Sequence, residues 1–285
     1  MRKYYHWSIA YKEQGMERFE IVPNPAWGWC ADPFIIEYQG IIYLFAEIFL
    51  YKSERNGVIG YCTFENGKFG EWKVCMDEHW HLSYPNVFIR NNNLYMCPES
   101  YQKKEVGIYE LQEFPDKWKK VHTLLENVKY VDSTFMRYKG KDYMFTFKPT
   151  FKGSEGGLLL FQIDENGKLS EPQLISDNVG NARPGGKVIY EGEKVIRVSQ
   201  DSTHGYGYGL VFNDIISVFP EYREKEIKRI TVKDIEGNFK RNYLGIHTYN
   251  RCGTIEVIDL KYADFSMKEY RAQKRVRKVF LNKYR

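Results

Sequence analysis

The sequence predicts an all-β fold, a five-bladed β-propeller whose ring is closed by N-terminal strands joining the last blade. Three observations carry this. A unit of about 50 residues recurs along the chain. Each copy alternates apolar and polar residues with period two around a turn holding Gly or Asn, the pattern of a β-hairpin. Aromatic residues make up 16% of the chain, with Tyr at 23 of 285 positions, and such side chains suit both strand surfaces and a concave polar site. Short alternating strands alone would also fit an irregular double-layer β-sandwich.

Five hairpins open the repeats in chain order: ADPFIIEYQGIIYLFAE (31–47), SYPNVFIRNNNLYMCPES (83–100), VDSTFMRYKGKDYMFTFK (131–148), ARPGGKVIYEGEKVIRVSQD (182–201) and LGIHTYNRCGTIEVIDL (244–260). Their leading edges, Asp32, Tyr84, Asp132, Arg183 and His247, lie 52, 48, 51 and 64 residues apart. A second kind of hairpin fills each interval, and the tetrapeptide Glu-Asn-Gly-Lys recurs in two of them, at 65–68 and 165–168. Four strands per unit is the arithmetic of a propeller blade. Only four such intervals follow in order, while HWSIAYKEQGMERFEIV (6–22) has the same look. That stretch is expected to supply the outer strands of the fifth blade. The domain reading is a propeller over residues 1–265 and a basic tail over 266–285.

A chain with 43% hydrophobic and 28% charged residues can bury the core of one large domain, which excludes disordered and fibrous classes. It has no run of about 18 apolar residues, the minimum for a membrane span. The first eleven residues lack the apolar stretch of a secretory signal, so the expected location is cytoplasmic. Five cysteines, Cys30, Cys62, Cys75, Cys97 and Cys252, are scattered and form no C-x-x-C pair. They read as buried thiols, with Cys62 and Cys75 open to facing each other across a hairpin. Net charge is +5, yet residues 268–285 alone carry eight Lys or Arg against one Glu. The excess is one tail and not a spread surface, which argues against nucleic acid. Val276, Val279, Phe280 and Leu281 among the cations suit contact of Lys268 to Arg285 with the inner face of an anionic membrane.

The first strand of a blade lines the central channel, so the five leading edges should meet at one mouth. They place a polar or charged residue at every opening, more than packing needs. Asp32 and Asp132 are paired carboxylates, the usual equipment for acting at a glycosidic bond. Trp29, Trp80, Tyr84 and Tyr206 offer faces for stacking on a sugar ring. Glu99, Asp201 with His204, and His81 stand out as polar residues where strand should be apolar. No Rossmann or P-loop glycine pattern, H-E-x-x-H or D-x-D occurs. No cofactor is expected; a Ca²⁺ on the propeller axis stays open, because backbone ligands leave no motif.

The blocks ADPF (31–34), DEHWHLSYP (77–85), PES (98–100), VDS (131–133), ARPGG (182–186) and QD with a following YG (200–209) resemble the N-terminal domain of the glucosamine inositolphosphorylceramide transferase family. That domain is itself similar to the five-bladed propellers of glycoside hydrolase families 43 and 32. The resemblance implies a glycan-building context. Against the family 43 pattern, Asp32 and Asp132 match the base Asp of the first blade and the second Asp of the third. Arg183 stands where the general-acid Glu would open the fourth. A phosphate leaving group needs positive charge and no proton, and Arg183, His204 and His247 would supply it. The expected function is therefore a glycosyltransferase using a phosphate-activated donor, a nucleotide sugar or sugar phosphate, on a glycan or glycolipid acceptor. Glu99 or Asp201 as a relocated acid would make it a glycoside hydrolase, and a non-catalytic glycan-binding module is the third reading.

Overall fold

The structure, a computed structural model, describes residues 4–51, 57–150 and 153–265, with Met267, Tyr270, Arg271 and Lys274 beyond them. Among the described residues, five antiparallel sheets follow one another around a ring. Blade I runs from the innermost strand Gly28–Tyr38 through Ile41–Leu50 and Gly57–Glu65 to the short edge strands Lys68–Phe69 and Lys73–Met76. Blade II is Ser83–Arg90, Asn93–Glu99, Glu105–Glu113 and Lys117–Glu126. Blade III is Val131–Tyr138, Lys141–Pro149, Gly156–Ile163 and Gln173–Ser176. Blade IV is Ile189–Glu191, Lys194–Asp201, Gly209–Ser217 and Arg223–Thr231.

Blade V closes the ring as the sequence predicts. Its inner strand is split into Tyr243–Gly245 and Tyr249–Cys252, both paired with Ile255–Asp264. The N-terminal strand Tyr4–Glu13 then pairs with Ile255–Asp264 over its whole length, from Tyr4 with Asp264 to Glu13 with Ile255, and Glu20–Val22 forms the edge. Joining the two chain ends in one sheet holds the ring shut.

Each blade is sandwiched between two others, so its middle strands are buried on both faces and read as nearly unbroken apolar runs, as Tyr43 to Phe49 does. The core is accordingly a set of layers between blades. Ile9 and Val257 of blade V pack on Ile35 and Leu44 of blade I, and Phe45 and Ile59 of blade I on Val87 and Met96 of blade II. Cys97 and Val106 meet Met144 and Leu159, Phe145 and Leu158 meet Ile215, and Ile196 and Leu210 meet Ile258 and Leu260. Residues contributing to such layers are worth about 1.5–3 kcal/mol each in burial. The five cysteines are free thiols; Cys62 packs in the layer toward blade V and Cys75 in the layer toward blade II, so they do not face each other.

Candidate functional site

The first three blades open with the same backbone device. Pairing between first and second strand breaks between Ala31 and Phe34, between Ser83 and Asn86, and between Val131 and Thr134. In each break the leading residue is left-handed, with φ of 50° at Asp32, 43° at Tyr84 and 55° at Asp132. That conformation disfavours a residue with a Cβ by roughly 1–2 kcal/mol. A bulge of this kind re-aims a side chain, and here it turns the residues in phase toward the axis.

Around Asp32 a hydrogen-bonded chain crosses from blade I to blade V. Its carboxylate accepts from the Thr248 hydroxyl (2.9 Å) and the Tyr84 backbone N–H (3.2 Å). Its own N–H donates to Asp259, whose carboxylate also accepts from the backbone N–H groups of His247 (2.9 Å) and Thr248 (3.0 Å). Asp259 further holds His247 Nδ1 at 2.5 Å, leaving Nε2 3.7 Å from Asp32. The imidazole is stacked on Trp7 at 3.9 Å between centroids, with Tyr206 edge-on at 5.0 Å. Burial opposes a charge on His247, but Asp259 outweighs it and raises its pKa. Burial, together with the carboxylates of Asp132 and Asp259, pushes Asp32 up to about 6 against the pull of His247. Asp32 is thus poised as a base near neutral pH.

Across the mouth, Asp132 accepts from Arg183 Nε and from Gln200 Nε2 (3.1 Å). The Glu99 carboxyl hydrogen-bonds to Asp132, and burial with that neighbouring negative charge holds Glu99 well above the usual carboxyl range. A carboxyl raised in this way is a candidate for the acid that the Arg183 position lacks. Arg183 itself lies over Phe147 and Tyr206, 5.8 and 5.2 Å from the ring centroids. Among the described residues it bonds Asp132 through Nε, which leaves the outer nitrogens to meet an anion.

Glu47, which the sequence reading missed, completes the group. It is 8% exposed, and burial with Asp32 first among its charged neighbours raises its pKa well above the ordinary range. His81 approaches it at 3.7 Å, and burial drops His81 to about 4. Gly57 makes the approach feasible, since a Cβ there would sit 2.8 Å from Glu47 Oε1. Glu47 faces Ala31 across blade I as Glu99 faces Ser83 across blade II. Their 52-residue spacing equals that of Asp32 and Tyr84, a signal the sequence did carry. Asp259 and Trp7 were missed as well.

Other expected site residues stand elsewhere. Tyr84 is fully buried, and its hydroxyl lies 2.8 Å from Thr134 Oγ1 and accepts from the Gly186 N–H at 2.9 Å. It is a strut across the channel and not a sugar contact. Asp201 binds Thr203 and Arg229, and those hydrogen bonds hold its pKa low despite burial, so it cannot serve as the acid. Trp29 stacks on Phe49 at 4.9 Å within the core, and Trp80 packs against the blade I–II layer under Lys103. His204 sits in an exposed turn against Tyr208 and is outside the cluster. An axial Ca²⁺ would need inward carbonyls. Those of Pro33, Ile35, Ser133 and Gly186 already accept from Asn250, Lys187, Asn86 and Tyr84. Among the described residues, Asp32, His247 and Asp259 alone bring three ligand atoms within 4.8 Å of one another. They also bond to each other, through Asp259 with His247 and with the Asp32 backbone N–H.

The sequence pattern of the glucosamine inositolphosphorylceramide transferase 1 N-terminal family matches residues 23–259. The chain belongs to that family. It is similar to glucosamine inositolphosphorylceramide transferase 1 of Oryza sativa, with 34% identity over 187 residues, 62% of this chain and 25% of that protein. The Arabidopsis thaliana protein of the same name is 30% identical over 220 residues, 69% of this chain and 27% of that protein. The chain thus spans about a quarter of the length of these relatives. Among solved structures it is similar to the catalytic domain of a Coprinopsis cinerea α-L-arabinofuranosidase, with a TM-score of 0.60 and 10% identity over 89% of this chain and 97% of that one. A Podospora anserina α-L-arabinofuranosidase crystallised with cellotriose gives 0.59 and 12% over 79% and 78%. At these identities the likeness speaks to the propeller fold. It agrees with the five sheets described above.

Proposed function

We propose that this chain is a glycosyltransferase that moves a sugar from a phosphate-activated donor to a glycan or glycolipid acceptor. The observation that carries the reading is the mouth itself, where the base Asp32 lies across from Arg183, whose Nε holds Asp132 while its outer nitrogens stay available to a phosphate. Asp32 takes the proton of the acceptor hydroxyl as its oxygen bonds to the anomeric carbon. The bond from that carbon to the phosphate oxygen breaks, and the outer nitrogens of Arg183 receive the phosphate. His247 does not join in phosphate binding, since its ring is buried against Trp7 with Nδ1 held by Asp259 and Nε2 facing Asp32. The relatives' names combine glucosamine with inositolphosphorylceramide, which supports an amino sugar and a glycolipid.

One observation favours a second reading. Glu99 as a protonated acid would equip the same mouth for glycoside hydrolysis. The two are separated by incubating the protein with nucleotide sugars, sugar phosphates and neutral oligosaccharides and analysing products by mass spectrometry. Transfer from a phosphorylated donor that is lost in Arg183→Ala upholds the proposal. Release of free sugar from neutral oligosaccharides that survives Arg183→Ala replaces it with hydrolysis.

A further inference from the structure

A cavity of about 750 Å³ lies at the end of the channel opposite the mouth and extends outward between blades II and III. Its inner wall is built by Ile36, Asn86, Met136 and Lys187, each a few residues further along the chain than the leading residue of its own blade. The chain runs from the mouth toward this end in all four. The Tyr84 hydroxyl, held between Thr134 and Gly186, spans the channel between the mouth and the cavity. The outer walls are largely apolar, with Phe88 and Ile89 from blade II and Phe135 from blade III, and Phe88 packs on Phe135 at 4.9 Å between centroids.

Lys187 brings an ammonium to this wall. The side chain is half-buried, and its Nζ donates to the Ile35 carbonyl at 2.9 Å. That is its one side-chain hydrogen bond among the described residues, and an ammonium has three to give. No carboxylate pairs with it among the described residues; the titratable group whose field reaches it is the Cys252 thiol. Burial pushes its pKa down to about 8, which still leaves it charged at neutral pH. The buried cations of the other layers are compensated, Arg183 by Asp132, Arg197 by Glu224 and His247 by Asp259. Lys187 departs from that pattern. Toward the opening of the cavity, Arg90 and Arg137 are matched in number by Asp142 and Glu165, so the charge left over in the lining is the ammonium's.

An ammonium withdrawn from water without a counter-charge costs free energy that an anion placed beside it recovers. Apolar walls around one placed charge suit a small organic acid, with its anionic group on the amine and its body between the side chains. A bare inorganic anion would gain from the ammonium and nothing from the walls, and a neutral apolar molecule would leave the charge unpaired. One ammonium matches one negative charge, which favours a carboxylate over a phosphate dianion.

We propose that this cavity is a binding site for a small amphiphilic carboxylate, whose anionic group pairs with Lys187 and whose apolar body lies against Phe88 and Phe135. The site is separate from the mouth, and binding is measured without donor or acceptor, so the proposal stands or falls apart from the catalytic reading.

The test is isothermal titration calorimetry of the full chain with octanoate, octanol and acetate at pH 7. Octanoate is expected to bind on the order of tenfold tighter, or more, than octanol or acetate, since each of those lacks one half of the match. Lys187→Met keeps an apolar stem and removes the charge; it is expected to lose on the order of tenfold for octanoate while binding octanol unchanged. Ile89→Glu changes a side chain that is 45% exposed on the cavity wall, so it keeps the fold, and the added negative charge is expected to weaken octanoate binding as well. Arg183→Ala, at the mouth, is expected to bind octanoate as the unmodified protein does. Thermal melts check that the variants stay folded. The proposal is overturned by an absence of octanoate binding, by acetate binding as tightly as octanoate, by octanoate binding that is unchanged in Ile89→Glu and in folded Lys187→Met, or by binding that is lost in Arg183→Ala.

Discussion

Blades I to III and blades IV and V build the same mouth by different means. In the first three, a shared bulge with a left-handed leading residue aims Asp32, Tyr84 and Asp132 inward. In the last two the inner strand is interrupted. Blade IV enters through Arg183-Pro184-Gly185-Gly186, with Pro184 bridging Ser199, and blade V breaks at Ile246 to Thr248, where the Asp259 carboxylate takes the backbone N–H bonds a strand would have used. The backbone of the first half thus delivers the carboxyl groups, and the second half supplies the cations, His247 braced by Asp259 of its own blade and Arg183 by Asp132 of blade III. A repeat can supply acids by copying; a compensated cation has to be fitted individually to its carboxylate.

Changing the acids should affect chemistry far more than folding. Asp32→Asn is expected to slow transfer by about 10²–10⁴ fold, the usual worth of a general base, with little loss of melting temperature. Steady-state kinetics beside thermal melts checks this. Changing the brace should do the reverse. Asp259→Ala leaves His247 charged and buried without its partner and is expected to destabilise the fold by about 3–5 kcal/mol in denaturant unfolding.

Tyr84 tests the comparison from within, because it uses the bulge yet serves as a strut. Tyr84→Phe strands the buried Gly186 N–H and is expected to cost about 1–3 kcal/mol of stability while leaving KM unchanged; a raised KM would make it a ligand contact after all. The smallest effect concerns pH. Asp32 has a folded pKa of about 6 against an ordinary value of 3.8. The folded state therefore binds more protons than the unfolded state between those values. Its contribution to stability is full below about pH 4 and is lost as pH rises through about 6. Glu47 and Glu99 are shifted in the same direction. Glu47→Gln is expected to stabilise the protein at pH 7 by about 1 kcal/mol, with the gain vanishing at pH 4; urea titrations at the two pH values measure it.

The fold was legible because a repeat of period-two strands leaves its register in the sequence, and the leading residues Asp32, Tyr84 and Asp132 prove to be in phase. What each would touch was not legible. Tyr84 and Asp132 occupy equivalent backbone positions, and only packing across the channel makes one a strut and the other a site residue. Glu47 was visible as the lone acid in the apolar run IIYLFAEIFL and Asp259 as one of two acids in IEVIDL, yet their role depends on the ring bringing blades I and V together. Trp7 could be placed at the mouth only once the N-terminal strand had joined the last blade. Arg183 was read from its position as a free cation, whereas Asp132 claims one of its nitrogens.

The central claim is that the mouth holds a carboxyl group kept protonated near neutral pH opposite a carboxylate base. A carbon-13 NMR titration of the side-chain carboxyl groups, in the unmodified protein and in Glu99→Gln, tests it without any substrate. The expected result is a glutamate carboxyl still protonated at pH 7 whose resonance disappears in Glu99→Gln, together with an aspartate titrating near pH 6 that is absent in Asp32→Asn. Glutamates that are all ionised at pH 7 would contradict the account.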